Sequence, residues 1–143
     1  MLLKDKAALV TGSSRGIGAA IALKLAENGC RVAVNYCQNV AAANETLEKI
    51  QELGSEGILF KADVANEEKV NEMAEDIKKR FGGIDILVNN ASSSIQSKFI
   101  LDLNWDDLKK QIDTAVKGTF YCSKAFAPGM VEKKAGRIIN IVS

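Results

Sequence analysis

The stretch Thr11-Gly12-Ser13-Ser14-Arg15-Gly16-Ile17-Gly18 holds the residues whose types and spacing point most directly to chemistry. It follows a short apolar run, Ala7-Ala8-Leu9-Val10, and opens a segment of helical period. Glycines spaced G-x-x-x-G-x-G at a strand exit meet the physical needs of a dinucleotide site, although the commoner spacing is G-x-G-x-x-G. Gly12 permits a tight turn, Gly16 lets the backbone come close to a diphosphate, and Gly18 lets the helix pack near the sheet. The helix start then offers free N–H groups and the positive end of its dipole to the phosphates. Ser14, Arg15 and Ile17 belong to the same loop and are counted with the glycines as cofactor-binding. A glycine-rich turn with no ligand is the plain alternative; the position between first strand and first helix favours binding.

The second apolar run, Arg31-Val32-Ala33-Val34-Asn35, bears on which dinucleotide is held. An NAD site usually ends this strand with Asp or Glu, which accepts hydrogen bonds from the ribose hydroxyls. Here the strand ends Asn35-Tyr36-Cys37-Gln38, without a carboxylate. Arg15, in the glycine loop, is placed to pair with a 2′-phosphate, the alternative being a solvated loop charge. Both features favour NADP(H), with Asn35 and Tyr36 lining the adenosine end.

These residues need a scaffold, and the rest of the chain supplies one. The spacing of Ile17, Ile21 and Leu25 predicts a helix face, with Gly29 just past the helix end. Val40, Ala43, Leu47 and Ile50 mark a second helix, stopped at Gly54, and Gly57 to Phe60 reads as a third strand. Asn66 is the expected N-cap of a third helix, with Glu67 and Glu68 in its first turn. Its apolar face is Val70, Met73, Ala74, Ile77 and Phe81, and Gly82-Gly83 ends it. Ile84 to Val88 is the expected fourth strand. Asn104 and Asp107 resemble a capping box opening one long helix, with a stripe at Trp105, Leu108, Ile112, Ala115, Thr119, Cys122 and Phe126. Pro128 lies near its expected end and helps terminate it. Arg137 to Val142 is the fifth strand. This β-α alternation with strands apolar on both faces predicts an α/β fold, a doubly wound, Rossmann-like parallel sheet in the order 3-2-1-4-5. Residues 1–143 are expected to form a single dinucleotide-binding domain.

Composition narrows the function classes. A net charge of +1 gives no electrostatic case for nucleic acid or an anionic membrane surface. Apolar runs are too short to span a bilayer, residues 1–10 lack the features of a signal peptide, and the chain is expected to be cytoplasmic. The absence of histidine excludes a Ser-His-Asp triad and a His-based metal site within these residues. Cys30, Cys37 and Cys122 show no metal-ligand spacing, so no metal is expected, and they read as reduced thiols with packing roles.

Four motifs in order now make the sequence resemble the short-chain dehydrogenase/reductase family, and within it the 3-oxoacyl-[acyl-carrier-protein] reductases. Thr11 to Gly18 matches T-G-x-x-x-G-x-G. Asp63-Val64 matches the pair after the third strand that contacts adenine. Asn89-Asn90-Ala91-Ser92 matches N-N-A-G after the fourth strand, and Gly136 to Ser143 matches the fifth strand, whose terminal serine is catalytic in the family. The resemblance implies hydride transfer between NADP(H) and a carbonyl, on a small-molecule or acyl-carrier-bound 3-oxoacyl-type substrate, by a homo-oligomer. Tyr is the family's proton donor or acceptor, Lys lowers its pKa, Ser orients the substrate oxygen and Asn supports a water relay. Asn90, Ala91 and Ser92 are thereby expected at the cofactor and Ser143 at the substrate.

Three positions depart from the family pattern. The family's Tyr-x-x-x-Lys would lie beyond residue 143. Tyr121-Cys122-Ser123-Lys124 has the wrong spacing and reads as surface helix. Ala115 stands where the relay Asn is expected, and Ser92 replaces the last glycine of N-N-A-G, where a side chain crowds the nicotinamide side or is accommodated by a small backbone shift. The chain is therefore expected to be an N-terminal part, with the C-terminal strands missing and no activity alone. The alternative is a truncated, non-catalytic NADP(H)-binding module. The second and third motifs, Asp63-Val64 and Asn89 to Ser92, argue against a binder of another adenine cofactor.

Overall fold

The computed structural model describes residues 1–94 and 97–142. Strands β1 (Ala7–Val10), β2 (Arg31–Tyr36), β3 (Gly57–Lys61), β4 (Ile86–Asn89) and β5 (Arg137–Asn140) form a parallel sheet in the order β3-β2-β1-β4-β5. Helices α1 (Gly16–Glu27), α2 (Val40–Glu52), α3 (Glu67–Phe81), α4 (Trp105–Ile112) and α5 (Gly118–Lys133) cover its two faces. The architecture is the doubly wound, Rossmann-like one that the alternation of elements predicts.

Alternation along β1 explains the two cores. Ala8 and Val10 join Val32, Val34 and Val88 under α1 and α2. Ala7 and Leu9 join Ala33 and Leu87 beneath Val70, Met73 and Ile77 of α3 and Cys122 and Phe126 of α5. β1 and β4 are buried along their whole length, as strands covered on both faces must be. Asn66 caps α3 by accepting from Lys69 N at 3.1 Å, and Gly82 ends it in the left-handed region at φ 75°. Asn104 and Asp107 form a reciprocal capping box on α4, at 3.0 and 3.1 Å.

Several expectations are corrected. The fully buried face of α1 is Gly18, Ala22 and Ala26; of the expected stripe, Ile21 and Leu25 are half-buried against the core and Ile17 is 68% exposed. Small residues let the helix lie close to the sheet beside the glycine turn, and larger side chains are displaced to the flank. On α2 the face is Ala43, Thr46 and Ile50, and Val40 is exposed. The expected long helix is interrupted by a π-helical turn at Asp113–Lys117. An extra residue per turn rotates the helix beyond it: Gly118, Cys122, Phe126 and Met130 are buried, whereas Trp105, Leu108, Ile112 and Val116 stay exposed. Pro128 does not end α5. The helix runs on to Lys133 and stops at Lys134, left-handed at φ 55°. β4 begins at Ile86 and β5 ends at Asn140, shorter than the apolar runs that mark them. No helix among the described residues is long and apolar enough to cross a membrane.

The three cysteines are free, but only two pack. Cys30 and Cys122 are fully buried, and burial pushes their thiols up to about 11 and about 12; Cys37 is exposed, contrary to the packing role expected of it. A native protein treated with a thiol reagent at pH 7.5 should therefore lose one thiol rapidly, Cys37, and the other two only after unfolding. Rapid native labelling of Cys122 would show that the α5 core is not packed as described.

Candidate dinucleotide site

Because every strand is parallel, the exits of β1, β2, β3 and β4 lie along one sheet edge. Chain order reverses across β1, with β2 on one side and β4 on the other; that switch point is where open α/β sheets leave a crevice. The glycine turn sits there. Gly12 and Gly16 have φ of 59° and 60°, the left-handed region that suits glycine. A side chain on Gly12 would meet Ala91 Cα at 2.7 Å, so the turn is pressed against the β4 exit, whereas Gly16 faces open space. At Gly18 a Cβ would meet Asn90 Nδ2 at 2.5 Å and Ser13 Cα at 2.9 Å.

The start of α1 differs from those of α2, α3 and α4. Asn39, Asn66 and Asn104 each cap their helix with a side-chain oxygen. Arg15, at the N-cap of α1, is extended (φ −156°, ψ 176°) and provides no side-chain cap. The first N–H of this helix to meet a carbonyl is that of Ala19, 3.3 Å from Arg15 O. The donors of the first turn are left open, and no acidic residue of that turn offsets the positive dipole end. The Arg15 side chain is exposed beside them. An anionic diphosphate fits this donor set, and the guanidinium adds a positive charge at its rim.

Hydrogen bonds hold the rest of the turn. Thr11 Oγ1 accepts from Asn90 N and Ala91 N, both at 2.9 Å, and Asn90 Nδ2 donates to Thr11 O and Gly12 O at 3.1 Å. Ser13 Oγ donates to Val10 O at 2.6 Å and accepts from Asn35 N at 3.2 Å. The Asn35 carboxamide accepts from Gly12 N at 3.1 Å and donates to Ala62 O at 3.0 Å. The expectation that Asn35 lines the adenosine end is thereby corrected. It is 2% exposed, its amide is taken up by backbone, and it braces the turn from within. Thr11 and Ser13 act in the same way; their small hydroxyls inside the motif were the available signal.

The remaining candidates lie at the neighbouring exits. Tyr36 is half-buried at the end of β2. Asp63 is exposed after β3, accepting from Ala65 N at 2.9 Å, and Val64 is buried against Gly118 of α5. Burial first, and the Asp63 carboxylate second, push the Cys37 thiol up, with Lys61 opposing; these three side chains thus share one field beyond β2 and β3. Ala91 is half-buried and Ser92 exposed without a positive φ, so Ser92 sits on unstrained backbone. Ala115 lies exposed in the π-helical turn. Lys124 is exposed and pairs with Glu67 at 3.3 Å, as a surface residue does, but Tyr121 packs half-buried against the core. Ser143 lies outside the described residues.

Comparison with known proteins agrees with this geometry. The family described as short chain dehydrogenase matches residues 6–143. The chain belongs to the short-chain dehydrogenase family. Among curated short-chain dehydrogenases, the 3-oxoacyl-[acyl-carrier-protein] reductase FabG of Staphylococcus epidermidis is 42% identical over 141 residues, 97% of this chain and 57% of that protein. The chain thus spans a little over half the length of the curated relatives it matches. A short chain dehydrogenase from Burkholderia cenocepacia, in complex with NADP, aligns with a TM-score of 0.87 and 36% identity over 98% of this chain and 56% of its own. An NAD+-bound xylitol dehydrogenase aligns with a TM-score of 0.94 and 33% identity over 100% of this chain and 55% of its own. One of these two neighbours is thus seen with NADP and the other with NAD+.

Replacing Asn35 by Ala leaves the Gly12 N–H and the Ala62 carbonyl without partners inside the protein. The expected loss is about 2–6 kcal/mol of unfolding free energy, at about 1–3 for each unpaired buried group, read from urea denaturation with an unchanged m-value. A loss below about 0.5 kcal/mol, the usual size of a surface change, would show that Asn35 is not a brace.

Proposed function

We propose that this short-chain dehydrogenase chain binds NADP(H) and serves a reductase that converts a 3-oxoacyl-type carbonyl to the alcohol. The observation that carries the cofactor assignment is the exposed Arg15 guanidinium at the rim of an uncapped helix start, opposite a β2 exit without a carboxylate. Backbone N–H groups of residues 15–18 hold the diphosphate. Arg15 pairs with the 2′-phosphate, Tyr36 borders the ribose, Asp63 and Val64 meet the adenine ring, and Asn90 to Ser92 border the nicotinamide end. The bound nicotinamide supplies the hydride. Ser143 orients the carbonyl oxygen of the substrate. The substrate class follows from likeness to the acyl-carrier-protein reductases. A homo-oligomer is supported by the exposed apolar side chains Trp105, Leu108, Ile112 and Phe120.

Titration by fluorescence is expected to show tighter binding of NADPH than of NADH. Arg15→Ala should weaken NADPH by about tenfold or more, the size of a charge-assisted hydrogen bond, and leave NADH nearly unchanged. Equal loss for both dinucleotides would mean that Arg15 does not read the 2′-phosphate.

Ala115 favours a second reading, a non-catalytic NADP(H)-binding module, because a methyl group cannot hold a water. The 143-residue chain contains no Tyr-x-x-x-Lys, so by itself it is expected to bind NADPH without reducing ketones. Ketone-dependent NADPH oxidation by the pure chain would overturn that expectation.

A further inference from the structure

Thr46 is 4% exposed in the middle of α2, on the face that packs toward the glycine turn. A threonine in a helix ordinarily returns its hydroxyl to a carbonyl one turn back. Thr46 instead donates to the carbonyl of Ser14 at 2.9 Å, across 32 residues of chain. Ser14 immediately precedes Arg15, and no peptide bond among the described residues is cis. In a trans peptide the C=O and the following N–H point opposite ways. A bond that draws Ser14 O toward α2 therefore turns Arg15 N–H away from α2. It also fixes the plane from which the Arg15 side chain departs.

Elsewhere the turn is tied at Gly12, by Asn35 and Asn90, and at Ser13, by Val10 and Asn35. Those ties end one residue short of the peptide that carries Arg15. Thr46 supplies the tie at that peptide. It comes from the helix that follows the β2 exit, so α2 acts on the adenosine end through the glycine turn.

We propose that Thr46 is a positioning residue for dinucleotide discrimination: by holding Ser14 O it aims Arg15 at the 2′-phosphate. This rests on the assignment of Arg15 to that phosphate. Thr46 touches no part of the cofactor.

The test is carried out on the intact protein, with NADPH and NADH titrated separately. Thr46→Val removes the hydroxyl and keeps the shape. It should lower the ratio of NADPH to NADH affinity by roughly three- to tenfold, the effect of one neutral hydrogen bond. Thr46→Ser keeps the hydroxyl and should restore the ratio. In an Arg15→Ala background, Thr46→Val should change the ratio no further. A parallel loss of both affinities with a lowered Tm would show a role in folding only and overturn the proposal. So would a further fall in the ratio without Arg15. If Thr46→Val does not fold, Thr46→Ala removes the same bond with a smaller side chain and is read in the same way. An Arg15→Ala variant with an unchanged ratio would instead overturn the assignment of Arg15 itself, a result separable from an inert Thr46→Val beside a responsive Arg15→Ala.

Discussion

The rest of the structure depends on one constraint: the N–H groups at the start of α1 stay without internal partners while the polar groups around them are paired. An open donor set at a helix start costs stability unless its surroundings hold it in place. Here Thr11, Ser13, Asn35 and Asn90 supply that hold, joining β1, β2 and β4 through short bonds to backbone atoms. The donors remain free because the side chains that would ordinarily cap them are absent. At α2, α3 and α4, by contrast, an asparagine caps the helix.

Close packing follows from the same constraint. The turn lies against Ala91, and the first turns of α1 lie against the turn, so α1 fully buries Gly18, Ala22 and Ala26 rather than its larger apolar residues. The aliphatic side chains of Ile17, Ile21 and Leu25 are left on the flank or in the open. Hydrophobic burial on this face comes chiefly from the valines of β1, β2 and β4 and from Ile50. α1 contributes proximity more than apolar volume, which places its dipole end at the strand exits.

The other face is built differently. There α3 and α5 bring Met73, Ile77, Phe81, Phe126 and Met130 to the sheet, and no open donor set has to be protected. The π-helical turn divides the work of the long helical segment. After it, the side chains turn inward as α5; before it, α4 presents Trp105, Leu108 and Ile112 outward. β5, at the sheet edge, also leaves Ile138 and Ile139 partly exposed. The charged capping box of α4 and its Lys98 pair at 3.0 Å show that this outward segment is nonetheless locally well formed.

The sequence by itself determined the order of elements, the parallel sheet and the location of the glycine turn. Runs apolar on both faces, separated by helical periods and short connections, leave few topologies open. It also revealed the caps at Asn66 and Asn104, since capping is local chemistry. It did not reveal which stripe of α1 is buried, because periodicity marks large residues and the tertiary contact demanded small ones. Nor did it reveal that Asn35 faces inward, since a polar residue at a strand end reads as a ligand contact until its partners are known. The π-helical turn and the course of α5 through Pro128 were likewise decided by packing against the sheet. The bond from Thr46 to Ser14 joins residues far apart in the chain, and no pattern of spacing encodes it. Local hydrogen bonds and periodic burial are written in one dimension; close approach and long-range pairing exist only once the chain is folded.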